Sequence, residues 1–227
     1  MNTYWILFIS IAAASWLVSY RLKTKYKKYS QIPLPSGLTG REVAEKMLYE
    51  NGIDDVRVIS VQGILTDNFN PANKTVNLSE GVFFSNSVMA AAVAAHECGH
   101  AVQYARAYAP LKMRSALVPA VSFASKWVTW VILAGIVLIQ TFPALIWFGI
   151  GLFAMTTLFS FITLPVEIDA SKRALAWLSD AGITNASTYP VAVSALKSAA
   201  YTYVVAALAS LGTLLYYIMV AMGGRRN

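Results

Sequence analysis

The sequence predicts a mainly α-helical integral membrane protein, with about four transmembrane helices and a small α+β region. That region should hold a short β-sheet and one helix bearing paired histidines. Three observations lead there. The 227-residue chain is 57% hydrophobic, has a mean hydropathy of +0.53 and carries only 13% charged residues, against about 25% in soluble domains. Its apolar residues gather in a few uncharged runs long enough to cross a bilayer. Its two histidines stand four residues apart, in His96-Glu97-Cys98-Gly99-His100.

Residues 4–20 (YWILFISIAAASWLVSY) form an uncharged run just long enough to span. The basic residues Arg21, Lys23, Lys25, Lys27 and Lys28 follow the run instead of preceding it. This order predicts an uncleaved anchor with residue 21 on the inside. It also places much of the +7 net charge on a membrane flank. A nucleic-acid partner would call for a basic stripe on a soluble fold, so none is expected.

Residues 21–115 are expected to form the inside-facing catalytic region. It opens with a proline-bearing linker at 32–36 (IPLPS). An amphipathic helix follows over 39–51. Thr39 and Glu42 fit a capping box, Val43, Met47 and Leu48 supply an apolar stripe, and Gly52 closes it. Residues 56–61 partly alternate and predict a strand, and 67–73 (DNFNPAN) are turn-rich. Lys74, Thr75, Val76, Asn77, Leu78 and Ser79 alternate cleanly. They predict a second strand at an exposed edge, whose backbone could hold an extended peptide by strand addition. Asn86 or Ser87 then caps a helix running to about Ala105. Its apolar part, 88–95, is too short to span before His96, so the histidines are expected near the membrane surface.

Residues 116–165 predict a transmembrane hairpin. The stretch 127–164 has no charge, and Pro143 divides it, with a tight turn near 140–144. Lys126 would snorkel or face protein. Residues 166–199 are polar enough to lie outside the bilayer, and 200–222 form a fourth span. With residue 21 inside, the chain returns inside at 166, on the same side as the histidines. The terminal Arg225 and Arg226 would then lie outside, against the positive-inside trend.

Positions i and i+4 of a helix share a face, so His96 and His100 can bind one metal ion, with Glu97 placed to act on a water beside it. Two histidines fall at this spacing by chance about once in 100, and with an adjacent glutamate roughly once in 4000, which outweighs the usual weakness of a short motif. Catalytic zinc takes three protein ligands and an open position. No third histidine exists, and Cys98 lies two residues from each histidine, off their face, where it reads as a buried packing residue. The third ligand should therefore be an Asp or Glu. Glu167 and Asp169 stand out because they follow the hairpin at the membrane boundary, where an acid is costly without a partner. Asp169 could instead orient a ligand imidazole. Zinc would activate water and polarise a carbonyl, and Glu97 would move the proton to the leaving amine. Lys172 and Arg173 read as interfacial anchors, and Tyr104, Tyr201 and Tyr203 as membrane-belt residues.

The run over 79–103 (SEGVFFSNSVMAAAVAAHECGHAVQ) resembles the motif region of membrane-bound gluzincin peptidases of the HtpX and CAAX-protease type. More closely, the whole chain resembles the bacterial neutral zinc metallopeptidases of the YugP type. The resemblance covers the anchor, LTDNFNPANKTVNLS, HECGHAVQ, the hairpin and VEIDASKRA. The likeness to the HtpX and CAAX-protease type implies a small gluzincin-like catalytic region and Glu167 as third ligand, from the segment E-x-x-A-D of those enzymes. Ala170 matches that segment's alanine. Ser171 stands where the family has an aspartate, with Asp169 as the expected substitute. It further implies a zinc metalloendopeptidase of the cell membrane, with one Zn2+ per chain, acting on peptides or membrane proteins at the cytoplasmic face.

Two rival readings stand beside this one. A site-2-type intramembrane protease would bury the motif inside a span and take an Asp ligand from a later one. A non-catalytic zinc-binding membrane scaffold would keep the ligands without using Glu97. Oligomeric state and regulatory partners are left open.

Overall fold

The computed structural model describes residues 3–223, and Arg225 and Arg226 lie outside them. The described residues form a mainly α-helical membrane protein with a small three-stranded sheet. In chain order the elements are α1 (Thr3–Tyr29), α2 (Gly40–Glu50), β1 (Arg57–Val61), β2 (Asn68–Asn70) and β3 (Thr75–Ser79). They continue with α3 (Glu80–Phe83), α4 (Val88–Ala105), α5 (Ala109–Val137), α6 (Ala144–Asp180) and α7 (Tyr189–Gly223). Among the described residues, four helices are long and apolar enough to cross a membrane: Trp5–Tyr29, Ala109–Val137, Ala144–Asp180 and Tyr189–Gly223.

Each of these helices outruns the apolar stretch that announced it. Helix α1 continues to Tyr29 through the basic cluster, because lysine and arginine are good helix formers and nothing breaks the chain before Pro33. Helix α6 runs through Pro165 to Asp180. Glu167 therefore rides the same helix as the apolar stretch before it, and not a separate segment. Helix α7 begins at Tyr189, ahead of the run at 200–222. Hydropathy marks where lipid is tolerated, whereas helix ends are set by caps and breakers.

The chain divides into two compact units. One comprises residues up to 17, 112–164 and 202 onward. In it Ile146, Ile150 and Ala221 form a buried cluster. Thr157 and Ser210 share a hydrogen bond of 2.7 Å between α6 and α7. A Cβ on Gly135 would lie 2.6 Å from Ile146 Cα, so the α5–α6 crossing requires glycine there.

The second unit comprises 18–111 and 165–201. Its core joins Val43, Met47 and Leu48 of α2, Val76 and Leu78 of β3, the small residues of α4, and Ala174 and Leu178 of α6. Helix α2 starts as expected. The Thr39 side chain accepts from the Glu42 N–H, and Glu42 accepts from the Thr39 N–H, an arrangement in which losing the cap costs about 1 kcal/mol. Ser87 caps α4 by accepting from the Ala90 N–H at 3.2 Å.

The sheet corrects one expectation. Its order is β1-β3-β2, with β1 parallel and β2 antiparallel to β3. Residues 74–79 are thus not an exposed edge: β3 is the central strand, and Thr75, Val76, Leu78 and Ser79 are buried. The missing neighbour was β2, three residues inside the turn-rich DNFNPAN. Phe69 pairs with Val76 there. The Asn70 side chain accepts from the Ala72 and Asn73 N–H groups to close the hairpin, with Lys74 at φ 50°.

Candidate metal centre

Helix α4 is built to let another helix approach it. Alanines 90, 91, 92, 94, 95 and 101 are buried along it. At Gly99 a Cβ would come 2.6 Å from the Ala170 carbonyl oxygen of α6. This backbone contact aligns the two helices in opposite directions. His96 meets Ser171 and Glu167, His100 meets Glu167, and Gln103 meets Val166 and Asp169.

The ligand atoms of His96, His100 and Glu167 lie within 4.8 Å of one another. Glu167 Oε2 is 3.3 Å from His96 Nε2 and 3.6 Å from His100 Nε2. Donors about 2.0–2.1 Å from one tetrahedral ion sit roughly 3.3–3.4 Å apart, so the two distances from Glu167 to the imidazoles are close to what a zinc ion would need. The far ring nitrogens are also engaged. His96 Nδ1 lies 3.1 Å from Ser171 Oγ, and His100 Nδ1 lies 3.1 Å from Gln103 Oε1. Ligand histidines are ordinarily held this way through the nitrogen that does not bind metal. The cluster takes Glu167 from α6, and no Asp belongs to it among the described residues. A site-2-type centre would need an Asp ligand.

Glu97 is buried, at 8% exposure. Burial pushes its carboxyl above the ordinary range, the neighbouring imidazoles oppose that, and Glu167 adds to it. His100 is also raised. Burial works against its charged form, but the contact with Glu167 and the charge of Glu97 outweigh this. Cys98 is fully buried on the opposite side, its Sγ 3.5 Å from the Ala44 carbonyl oxygen, and burial raises its thiol far out of the reactive range.

One further expectation is revised. Asp169 does not take the expected place beside an imidazole. It accepts from Gln103 Nε2 at 2.8 Å and pairs with Arg173 Nε at 2.6 Å, one residue removed from the imidazole. Ser171 takes the position against His96 directly. Arg173, read as an interfacial anchor, also pairs with Asp169 and lies 5.7 Å from the centroid of the Tyr108 ring.

Gln103 was missed. The available signal was its place three residues after His100 and seven after His96, a polar side chain on the histidines' own face of a helix otherwise rich in alanine. The strand residues fare differently. Lys74 is exposed and pairs with Asp55. The Asn77 amide donates to Asn68 Oδ1 at 2.8 Å. Ser79 donates from its N–H and hydroxyl to Asp67, whose carboxyl is raised by burial.

A family model described as "Putative neutral zinc metallopeptidase" matches residues 4–222. The "Putative membrane protease YugP" of Bacillus subtilis (strain 168) is 39% identical over 221 residues, covering 96% of this chain and 97% of that protein. No solved structure matches.

Proposed function

The chain belongs to the family described as "Putative neutral zinc metallopeptidase", and from that premise we propose that it is a membrane-bound zinc endopeptidase with Glu97 as general base. The observation that carries this reading is the convergence of His96, His100 and Glu167 within 4.8 Å, with Glu97 buried beside them. His96, His100 and Glu167 would hold one Zn2+. When bound, the ion supplies Lewis-acid polarisation of the scissile carbonyl and lowers the pKa of a neighbouring water. Glu97 takes a proton from the attacking water and passes it to the leaving amine. Its raised proton affinity suits a group that must accept and then release a proton near neutral pH. Ser171 and Gln103 hold the imidazoles in place.

The substrate is a peptide or an unfolded segment of a membrane protein. With β3 enclosed, pairing with an extended substrate falls to an outer strand, and β2 is the outer strand that carries Phe69 against Tyr104. The basic cluster at 21–28 supports a cytoplasmic location for the centre.

The test is zinc content and cleavage of a quenched peptide library by detergent-purified protein. Wild type should carry about one zinc and cleave. Glu97→Gln should keep the zinc and lose about 10²–10⁴-fold in rate. Unaltered cleavage by Glu97→Gln rejects the general base. Full zinc content with no cleavage by wild type favours the scaffold reading.

A further inference from the structure

Gln103 is fully buried, and each end of its amide is committed. Nε2 donates to the Val166 carbonyl oxygen at 2.8 Å and to Asp169 Oδ2 at 2.8 Å. Neither partner has a proton to give. One is a backbone carbonyl, and the other is the carboxylate oxygen that already accepts from Arg173 Nε at 2.6 Å. Turning the amide over would set its oxygen against two acceptors in a buried site, leaving both unsatisfied. The orientation of Gln103 is therefore decided from the α6 side.

The consequence reaches the histidine. With its NH2 group facing α6, Gln103 presents Oε1 to His100 Nδ1 at 3.1 Å. An amide oxygen can only accept, so Nδ1 must carry the hydrogen. In neutral imidazole the other nitrogen is then bare, and in His100 that nitrogen is Nε2, which faces Glu167 Oε2. His96 is treated differently. Its Nδ1 partner is the hydroxyl of Ser171, which can donate or accept and so follows the ring without dictating to it.

We propose that Gln103 is a positioning residue that locks His100 in its Nδ1–H form, with Nε2 free to bind metal, and that Val166 and Asp169 fix the amide that imposes this lock. Asp169 thus acts on the centre at one remove, and its charge reaches His100 only through a neutral amide. The inference rests on His100 being a metal ligand.

The test uses metal-free, detergent-solubilised full-length protein with ¹⁵N-labelled histidine, at a pH where both rings are neutral. The chain has two histidines, so His96→Ala assigns the signals. Wild-type His100 should show the Nδ1–H form, and an Nε2–H form overturns the proposal. Gln103→Met, similar in volume but unable to accept, should give a mixture of forms at His100 while leaving His96 signals in place. Its zinc affinity should fall about 10–100-fold. A role in packing alone predicts a lower Tm with the His100 form and the zinc affinity unchanged, and that result overturns the proposal.

If Gln103→Met does not fold, Asp169→Ala decides, because it removes one anchor of the amide from a partly exposed position. A partial shift of His100 toward the other form supports the lock, and an unchanged spectrum overturns it. Failure of the zinc-peptidase reading looks different: wild type would bind no zinc while His100 still showed the Nδ1–H form.

Discussion

Gly99 and Ala170 are in backbone contact: a methyl group at position 99 would lie 2.6 Å from the Ala170 carbonyl oxygen, closer than any ordinary Cβ contact. The metal centre depends on this approach, because the same pair of helices carries the histidines on one side and Glu167 on the other. Gly99→Ala should force α4 and α6 apart, at a cost of about 1–3 kcal/mol. We expect a lower Tm and substoichiometric zinc, read by thermal unfolding and metal analysis. Full zinc content in this variant would show that the centre tolerates a wider helix separation.

Alanine at His96, His100 or Glu167 should each abolish stoichiometric zinc, because two donors do not hold the ion at the affinity of three. Glu167→Ala is the informative member, since its role joins two segments 71 residues apart in sequence. Near-normal zinc in that variant would remove Glu167 from the ligand set.

Ser171 offers His96 a hydroxyl, its Oγ 3.1 Å from Nδ1. Ser171→Ala should weaken zinc binding about tenfold by releasing the His96 ring. Ser171→Asp should retain zinc at or above the wild-type affinity, since a carboxylate accepts from an imidazole N–H more strongly. Competition against a zinc-binding dye measures both, and equal affinities for all three proteins would show that the Oγ–Nδ1 contact has no bearing on metal.

Zinc and protons compete at His100. Its proton affinity in the metal-free protein is raised above the ordinary value of 6.5: burial works against the charged ring, but Glu167 and Glu97 outweigh it. A histidine raised on folding contributes stability that is complete below its unfolded value and is lost as pH rises through the folded value. Metal-free protein should therefore lose stability as pH climbs from about 6.5 upward. Zinc needs the neutral ring, so zinc affinity should run the other way, falling with acidification from a point above 6.5. A zinc titration series across pH, paired with thermal unfolding of metal-free protein, checks both signs. An onset of zinc loss well below pH 6 contradicts the assignment.

Cys98 should resist thiol reagents in the folded protein and react only after unfolding, because it is buried and its thiolate is strongly disfavoured. Cys98→Ala should keep full zinc. The quiet background makes topology measurable. A cysteine introduced at the exposed Lys74 should be shielded from impermeant maleimide in intact cells and labelled in inverted vesicles. Labelling from outside would overturn the cytoplasmic placement.

Much of this architecture was legible in local patterns. The capping box of Thr39 and Glu42, the cap at Ser87 and the shared face of His96 and His100 all depend on residues within a turn or two of each other, so chain geometry suffices to reveal them. The four long apolar helices were legible because lipid admits only long uncharged runs. Glu167 was singled out with Asp169 by its place after the hairpin and chosen over it by a family likeness, not by periodicity, since nothing local ties it to α4.

What lay beyond local reading shares one physical cause. The central place of β3 depends on β2, three residues with too little apolar content to announce a strand. The contact of Gly99 with Ala170, the choice of Ser171 over Asp169 against His96, and the burial of Gln103 between His100 and α6 all depend on how α4 and α6 are registered. Helical spacing places the two histidines on one face from the sequence itself. The ring nitrogen that His100 presents depends, through Gln103, on the acceptors Val166 and Asp169 of another helix, and that required the packed structure.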